Sequence, residues 1–110
     1  MNHILESVEF SLDIAIKDGP ILPPQYARGR ELIPRAAVVR FLRRTGGSLL
    51  LKRVQLTGFQ PKKDGTASQA TNSADYWCHV GDREGQLMDA PIWVHELATD
   101  ARAMLMEQLR

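Results

Sequence analysis

Ten of the fourteen basic residues fall between Arg28 and Lys63, a stretch with a single acid, Glu31, and a net charge of +9. The flanks have the opposite sign, net −3 over residues 1–27 and net −5 over residues 64–110, so the formal total of +1 conceals a cationic middle between two acidic arms. Two kinds of fold suit such a chain. Either the acidic first and last segments fold back and neutralise the arginines, or the cations stand on a solvated surface open to an acidic partner.

A length of 110 residues is that of one domain, and neither a low-complexity run nor a repeat divides it, so residues 1–110 are expected to form a single unit. The 44% hydrophobic and 25% charged fractions are those of a chain that builds an ordinary core. The one cysteine, Cys78, cannot form an internal disulfide, which fits a reducing cytoplasm. Apolar runs are only a few residues long and the N-terminus lacks a basic then apolar leader pattern, so neither a membrane span nor a secretory signal is expected.

From Ser7 to Lys17, Val8, Phe10, Leu12, Ile14 and Ile16 share one parity and polar residues mostly hold the other, which predicts a half-buried strand. A helix over the same residues would leave Phe10 and Ile14 on its wrong face. Residues 19–34 hold six glycines and prolines and predict an irregular connection. Pro34 suits the first position of a helix over 34–45: Ala37, Val38, Val39, Phe41 and Leu42 would cover one side, Arg40, Arg43 and Arg44 the other, with Thr45-Gly46-Gly47 as its cap. The rival is a β-hairpin with the next segment.

Residues 48–57 predict a strand with Leu50, Val54 and Leu56 inward and Arg53, Gln55 and Thr57 outward, leaving Lys52 on the apolar parity, where it must snorkel from an edge. The polar residues 58–73 predict a long loop, mobile or a contact surface, and Asp75–Val80 a short aromatic strand. Asp89 and Pro91 then open an amphipathic helix over 91–109, with Ile92, Trp93, Leu97, Ala101, Met104, Leu105 and Gln108 on its inner side. The expected fold is therefore α+β, with element order β-α-β-β-α, a mostly antiparallel sheet and the last helix packed on it.

No spacing names a reaction. His95-Glu96 lacks a second histidine four residues on, and His3, His79 and His95 show no ligand pattern, so no metal or cofactor is expected. Cys78 and His79 point to opposite faces of a strand, which leaves Cys78 with His95 as the nucleophile–base pair to examine. Asp75, Asp82, Glu84 and Asp89 cluster in the chain, but they read as turn residues. Arg28-Gly29-Arg30 and Thr45-Gly46-Gly47-Ser48 lack phosphate-loop spacing.

The leading expectation is a small cytoplasmic, non-enzymatic binding protein. Its basic surface would comprise Arg28, Arg30, Arg40, Arg43, Arg44, Arg53, Phe59, Lys62 and Lys63, with Tyr26 and Phe59 placed to stack on unpaired bases if the acidic partner is nucleic acid. The alternative is an interaction or inhibitor protein of the kind carried by mobile elements, or a subunit of a larger assembly or oligomer. Trp77, Trp93 and the methionines, Met88 and Met106 foremost, would then form the contact.

Overall fold

The alternating first segment forms the expected strand, β1 (Ser7–Ala15), which turns Phe10, Leu12 and Ile14 to the core and Glu9, Ser11 and Asp13 to solvent. The computed structural model describes residues 7–44, 48–80, 83–87 and 90–110. After β1 come β2 (Ile33–Arg44), β3 (Leu49–Pro61) and β4 (Ala67–Trp77), joined in the order β1-β2-β3-β4 as one antiparallel sheet. A small ladder of β5 (His79–Val80) and β6 (Arg83–Glu84) follows, and then α1 (Ile92–Gln108). The class is α+β, and the principal axes measure 58 × 27 × 22 Å. Among the described residues no helix is long and apolar enough to cross a membrane.

The expected helix over 34–45 is a strand instead. In β2, Ala37, Val39 and Phe41 face the core, and Val38, Arg40 and Leu42 face the open side of the sheet, where they are half-buried. On the open side Val38 and Leu42 are half-buried among the side chains of the flanking strands, so apolar residues fall on both parities of β2 and mimic a helical stripe. The adjacent β-branched Val38 and Val39 fit the pleated backbone, and pairing with β1 and β3 satisfies the peptide groups. Pro34 sits in β2 opposite Gly58, at a register shift, where its missing N–H does not break the ladder. The proposed cap at 45–47 lies outside the described residues.

Two corrections in β3 share one cause. A bulge between Arg40 and Phe41 sets Arg40 opposite Arg53 and Phe41 opposite Leu51, leaving Lys52 as the extra residue. Parity therefore changes at Lys52. Leu49 and Leu51 are the inward residues before it, Leu50 faces the open side, and Lys52 never enters the core. Residues 58–73 are not one loop: Gly58–Pro61 continue β3, Ala67–Ser73 begin β4, and only residues 62–66 turn, with Gly65 at φ 85°. This end of the hairpin runs past β1 and is mostly exposed, so it shows no apolar alternation. The expected strand over 75–80 is the end of β4, then Cys78, then β5.

The 19–34 connection is irregular but not peripheral. Leu22 and Leu32 pair as an isolated antiparallel bridge, and with Ala27 they are among the buried core residues. The core face of the sheet is covered by α1 through Val94, Ala98, Ala101 and Leu105. That stripe differs from the expected inner side: Ile92 is 77% exposed and Met104 48%, while Trp93 and Leu97 are half-buried at its margin. The two alanines let the helix backbone approach the sheet, and the bulkier apolar residues lie beside the contact. Pro91 occupies the N-cap position without a side-chain cap, and Asp89 lies outside the described residues.

Tyr76, at the buried edge of β4, donates its hydroxyl to the Tyr26 carbonyl at 2.7 Å and so fastens the connection to the sheet. Burial, with a smaller contribution from Tyr26, pushes its phenol up to about 12 from 10.0. The folded state thus holds this proton more tightly than the unfolded chain, and stability complete below pH 10 declines as pH rises from 10 towards 12. Urea midpoints across that range should fall less steeply in Tyr76→Phe, which should itself cost about 1–2 kcal/mol at pH 7 by orphaning the carbonyl. Parallel slopes for the two proteins would show that another group governs alkaline unfolding.

Candidate binding surface

The sheet divides the basic residues into three groups. The first lies mid-sheet on the open face. Because Lys52 is the extra residue of the bulge, Lys52 and Arg53 both lie beside Arg40. Lys52 Nζ pairs with Glu9 Oε2 at 2.9 Å, and Arg53 gives Asp75 Oδ1 two hydrogen bonds, from Nε at 2.9 Å and Nη2 at 2.7 Å, with its guanidinium 4.6 Å from the centroid of the Trp77 ring. The hydrogen bond from Lys52, then its charge and that of Arg40, hold the Glu9 carboxyl below its usual range despite some desolvation. Such half-exposed pairs contribute at most about 1 kcal/mol each. Their main consequence is that two cations are already matched by acids of the first and fourth strands.

Arg40 is different. Its Nε is buried and has no hydrogen-bond partner among the described residues, and Arg53 stands directly opposite on β3. An unpaired buried donor and a facing like charge both oppose folding. Arg40→Met, which keeps the aliphatic stem and removes both penalties, should leave the melting temperature unchanged or raise it by a few degrees. A drop of about 2 kcal/mol on thermal unfolding would mean that the attraction of Arg40 to the Glu9 carboxylate outweighs both penalties.

The second group lies at the far end of α1. Arg43 borders an open groove of about 310 Å³ with Ser48, Leu49, Arg102, Met106 and Leu109. Arg102 Nη1 donates to the Leu49 carbonyl at 2.5 Å and sits 5.4 Å from the Phe41 ring centroid, joining helix to sheet. The backbone of Arg44 pairs with Ser7. Its side chain lies outside the described residues.

The third group gathers where the connection meets the extended hairpin. Arg28, Arg30, Arg35, Lys62 and Lys63 are exposed, and none has a hydrogen bond or ion pair from its side chain among the described residues. Arg28 and Arg35 line one cavity of about 650 Å³ with Thr57, Gly58, Phe59, Thr71, Asn72 and Ser73. Among the described residues no carboxylate lines it. Lys62 and Lys63 follow Phe59 at the tip of the hairpin. Asp64 beside them accepts from the Thr66 hydroxyl and backbone N–H, and these bonds hold its carboxyl below the usual range.

Three features build this cavity. Pairing Pro34 with Gly58 and Ala36 with Thr57 leaves Arg35 as an extra residue turned to solvent. Asn72 Nδ2 lies 3.1 Å from the Ala27 carbonyl oxygen, 3.2 Å from that of Arg30 and 3.3 Å from that of Glu31, and its Oδ1 accepts from Ser73 N, so one amide ties the arginine loop to β4. Arg28 sits at φ 62°, a left-handed conformation uncommon for a side-chain-bearing residue. On its other side Arg28 borders a second cavity, of about 430 Å³, with Gln25, Tyr26, Ala74, Asp75, Tyr76 and Trp77.

Of the residues expected at a basic surface, Arg28 and Phe59 line one cavity here, Arg30 lies in the same loop as Arg28, and Lys62 and Lys63 lie in the hairpin turn beyond, while Arg40, Arg43 and Arg53 lie elsewhere on the sheet. Arg35 and Asn72 were missed, and Trp77 was expected at a protein contact rather than beside the basic loop. Arg35 was hidden by a helical reading of its segment, and Asn72 by a loop reading. Nothing in the linear chain signals that Trp77 neighbours Arg28.

Cys78 and His95 do border one cavity, of about 280 Å³, with Leu51, Leu87 and Arg102. The thiol is buried and donates to the Gly85 carbonyl at 2.9 Å, as suits a packing role. Asp75 is held by Arg53, and Asp82 and Asp89 lie outside the described residues. Among the described residues no three His, Cys, Asp or Glu side chains gather as a metal site would require. No protein-family model, no curated protein and no solved structure matches the chain.

Proposed function

We propose that this chain is a non-enzymatic binding protein that holds an acidic macromolecule, nucleic acid foremost, against Arg28, Arg30, Arg35, Lys62 and Lys63. The observation that carries this reading is the unequal treatment of the cations. Lys52 and Arg53 are matched by Glu9 and Asp75, whereas these five have no acid or acceptor among the described residues and lie toward one end of the sheet. A cluster of unmatched cations beside an aromatic wall is the electrostatic footprint of phosphate-backbone binding. The cytoplasm is the compartment this reading implies, with the single thiol of Cys78 kept reduced.

Fluorescence anisotropy against labelled oligonucleotides tests it. Binding should weaken linearly in log–log form as salt rises. The triple substitution Arg30→Ala, Lys62→Ala and Lys63→Ala should lower both affinity and slope, the slope by up to about 0.7 for each lost contact to a single strand. Lys52→Ala should leave the slope unchanged. No binding at low salt would discard the reading.

The second reading is a subunit of a larger assembly. It is favoured by the exposed apolar residues Ile92, Met104 and Met106 of α1 and Leu109 just after it, the last two bordering the groove beside Arg43. A concentration-independent monomer in light scattering, with no partner recovered, would count against it.

A further inference from the structure

The two cavities flanking Arg28 share a design that a diffuse basic patch does not require. Each is lined by Arg28 together with an aromatic residue: Phe59 in one, Tyr26 and Trp77 in the other. They lie along consecutive parts of β4, at Thr71–Ser73 and at Ala74–Trp77, so their centres are spaced by about three to four residues of strand, roughly 10–13 Å. The first offers two unmatched guanidiniums, Arg28 and Arg35. It adds the hydroxyls of Thr57, Thr71 and Ser73, none of which has a hydrogen-bond partner among the described residues. The second has its one acid, Asp75, already engaged by Arg53, and its Trp77 is 51% exposed although Arg53 covers one face of the ring.

We infer that β4 is the track of a single strand of nucleic acid. A phosphate sits between Arg28 and Arg35, one base lies against Phe59, and a neighbouring base reaches the Tyr26–Trp77 cavity past Arg28. Hydroxyl donors and a guanidinium pair suit a phosphate, and flat apolar side chains beside them suit the faces of unpaired bases of any sequence. A duplex keeps its bases stacked inside and cannot use either cavity. The inference rests on the binding reading above and narrows it to strandedness and to named subsites.

The test is anisotropy with a labelled twelve-nucleotide single strand, the matching duplex and a nucleoside monophosphate competitor, on wild-type protein and on Phe59→Leu, Trp77→Leu and Arg28→Ala/Arg35→Ala. Thermal melts confirm that each variant folds. The single strand should bind more tightly than the duplex. Phe59→Leu and Trp77→Leu should each weaken it by at least about five-fold. The double arginine variant should lower the salt slope by about 0.7, the increment for one phosphate. If Phe59→Leu does not fold, Arg35→Glu, at an exposed position, should abolish the preference for the single strand. Strand binding that ignores all these substitutions would overturn the track and leave the broader reading standing. Failure of every oligonucleotide to bind at low salt would remove both. A monophosphate that binds as tightly as the twelve-mer would replace the strand with a free nucleotide.

Discussion

Gly58→Ala should be severely damaging, lowering the melting temperature by roughly 12 °C or more, equivalent to at least about 3 kcal/mol. A Cβ at this position would lie 1.9 Å from the Ile33 carbonyl oxygen and 2.9 Å from its carbon. Both are backbone atoms of the neighbouring strand, so no rotamer change relieves the overlap. The ladder must open where Arg35 bulges from it. Gly65→Ala is the contrasting control: a Cβ there meets nothing within 4 Å, and only its φ of 85° opposes a side chain, a cost of about 1 kcal/mol. Differential scanning calorimetry of the two variants separates the mechanisms. A Gly58→Ala protein melting within a few degrees of wild type would show that β2 and β3 separate there at little cost. Because Gly58 lines the cavity between Arg28 and Arg35, a variant that still folds should also lose oligonucleotide affinity.

The second large effect is expected at Asn72. Its amide nitrogen faces three carbonyl oxygens at 3.1–3.3 Å, so it ties the concave backbone of residues 27–31 to β4, beside the loop's own bond from Arg30 N to the Ala27 carbonyl. Asn72→Ala removes the donors and should cost about 1–3 kcal/mol. Asn72→Asp keeps the shape and the Ser73 N–H acceptor but directs a second acceptor, with a charge, at the three carbonyls. It should cost more, about 2–4 kcal/mol at neutral pH. In both variants amide exchange should accelerate over residues 27–31 before it does so in β3, because a freed loop opens ahead of the sheet. Arg28 would lose its fixed place, so binding should weaken beyond the loss in stability. An Asn72→Asp protein no less stable than Asn72→Ala would mean that the amide is not the fastening of this loop.

The two positions connect fold to candidate function. Gly58 allows the strands to close on a bulge that turns Arg35 outward, and Asn72 holds the loop that presents Arg28. The stability of this corner and the geometry of its cations are one property.

The chain itself declared β1, because one face of an edge strand meets the core and the other meets water, and that contrast is written as alternation. It also declared α1, whose uninterrupted run of helix-forming residues needs no distant partner to be recognised. Its division into a basic middle and acidic arms anticipated the pairing of Lys52 with Glu9 of the first strand. The rest depended on contacts between distant segments. The identity of β2 was set by pairing with neighbours on both edges, since Val38 and Leu42 on its half-buried open side blur the period-two signal. The orientation of Leu50, Leu51 and Lys52 was set by one extra residue in β3, since a single-residue shift reverses every side chain before it. The extension of β3 and β4 across residues 58–73 was set by pairing alone, for a strand with little burial on either face carries no hydrophobic pattern. The grouping of Arg28 with Arg35 and Phe59 followed from the last two and from the Asn72 amide. It joins residues far apart in the chain through register and hydrogen bonds, which act only once the backbone has folded.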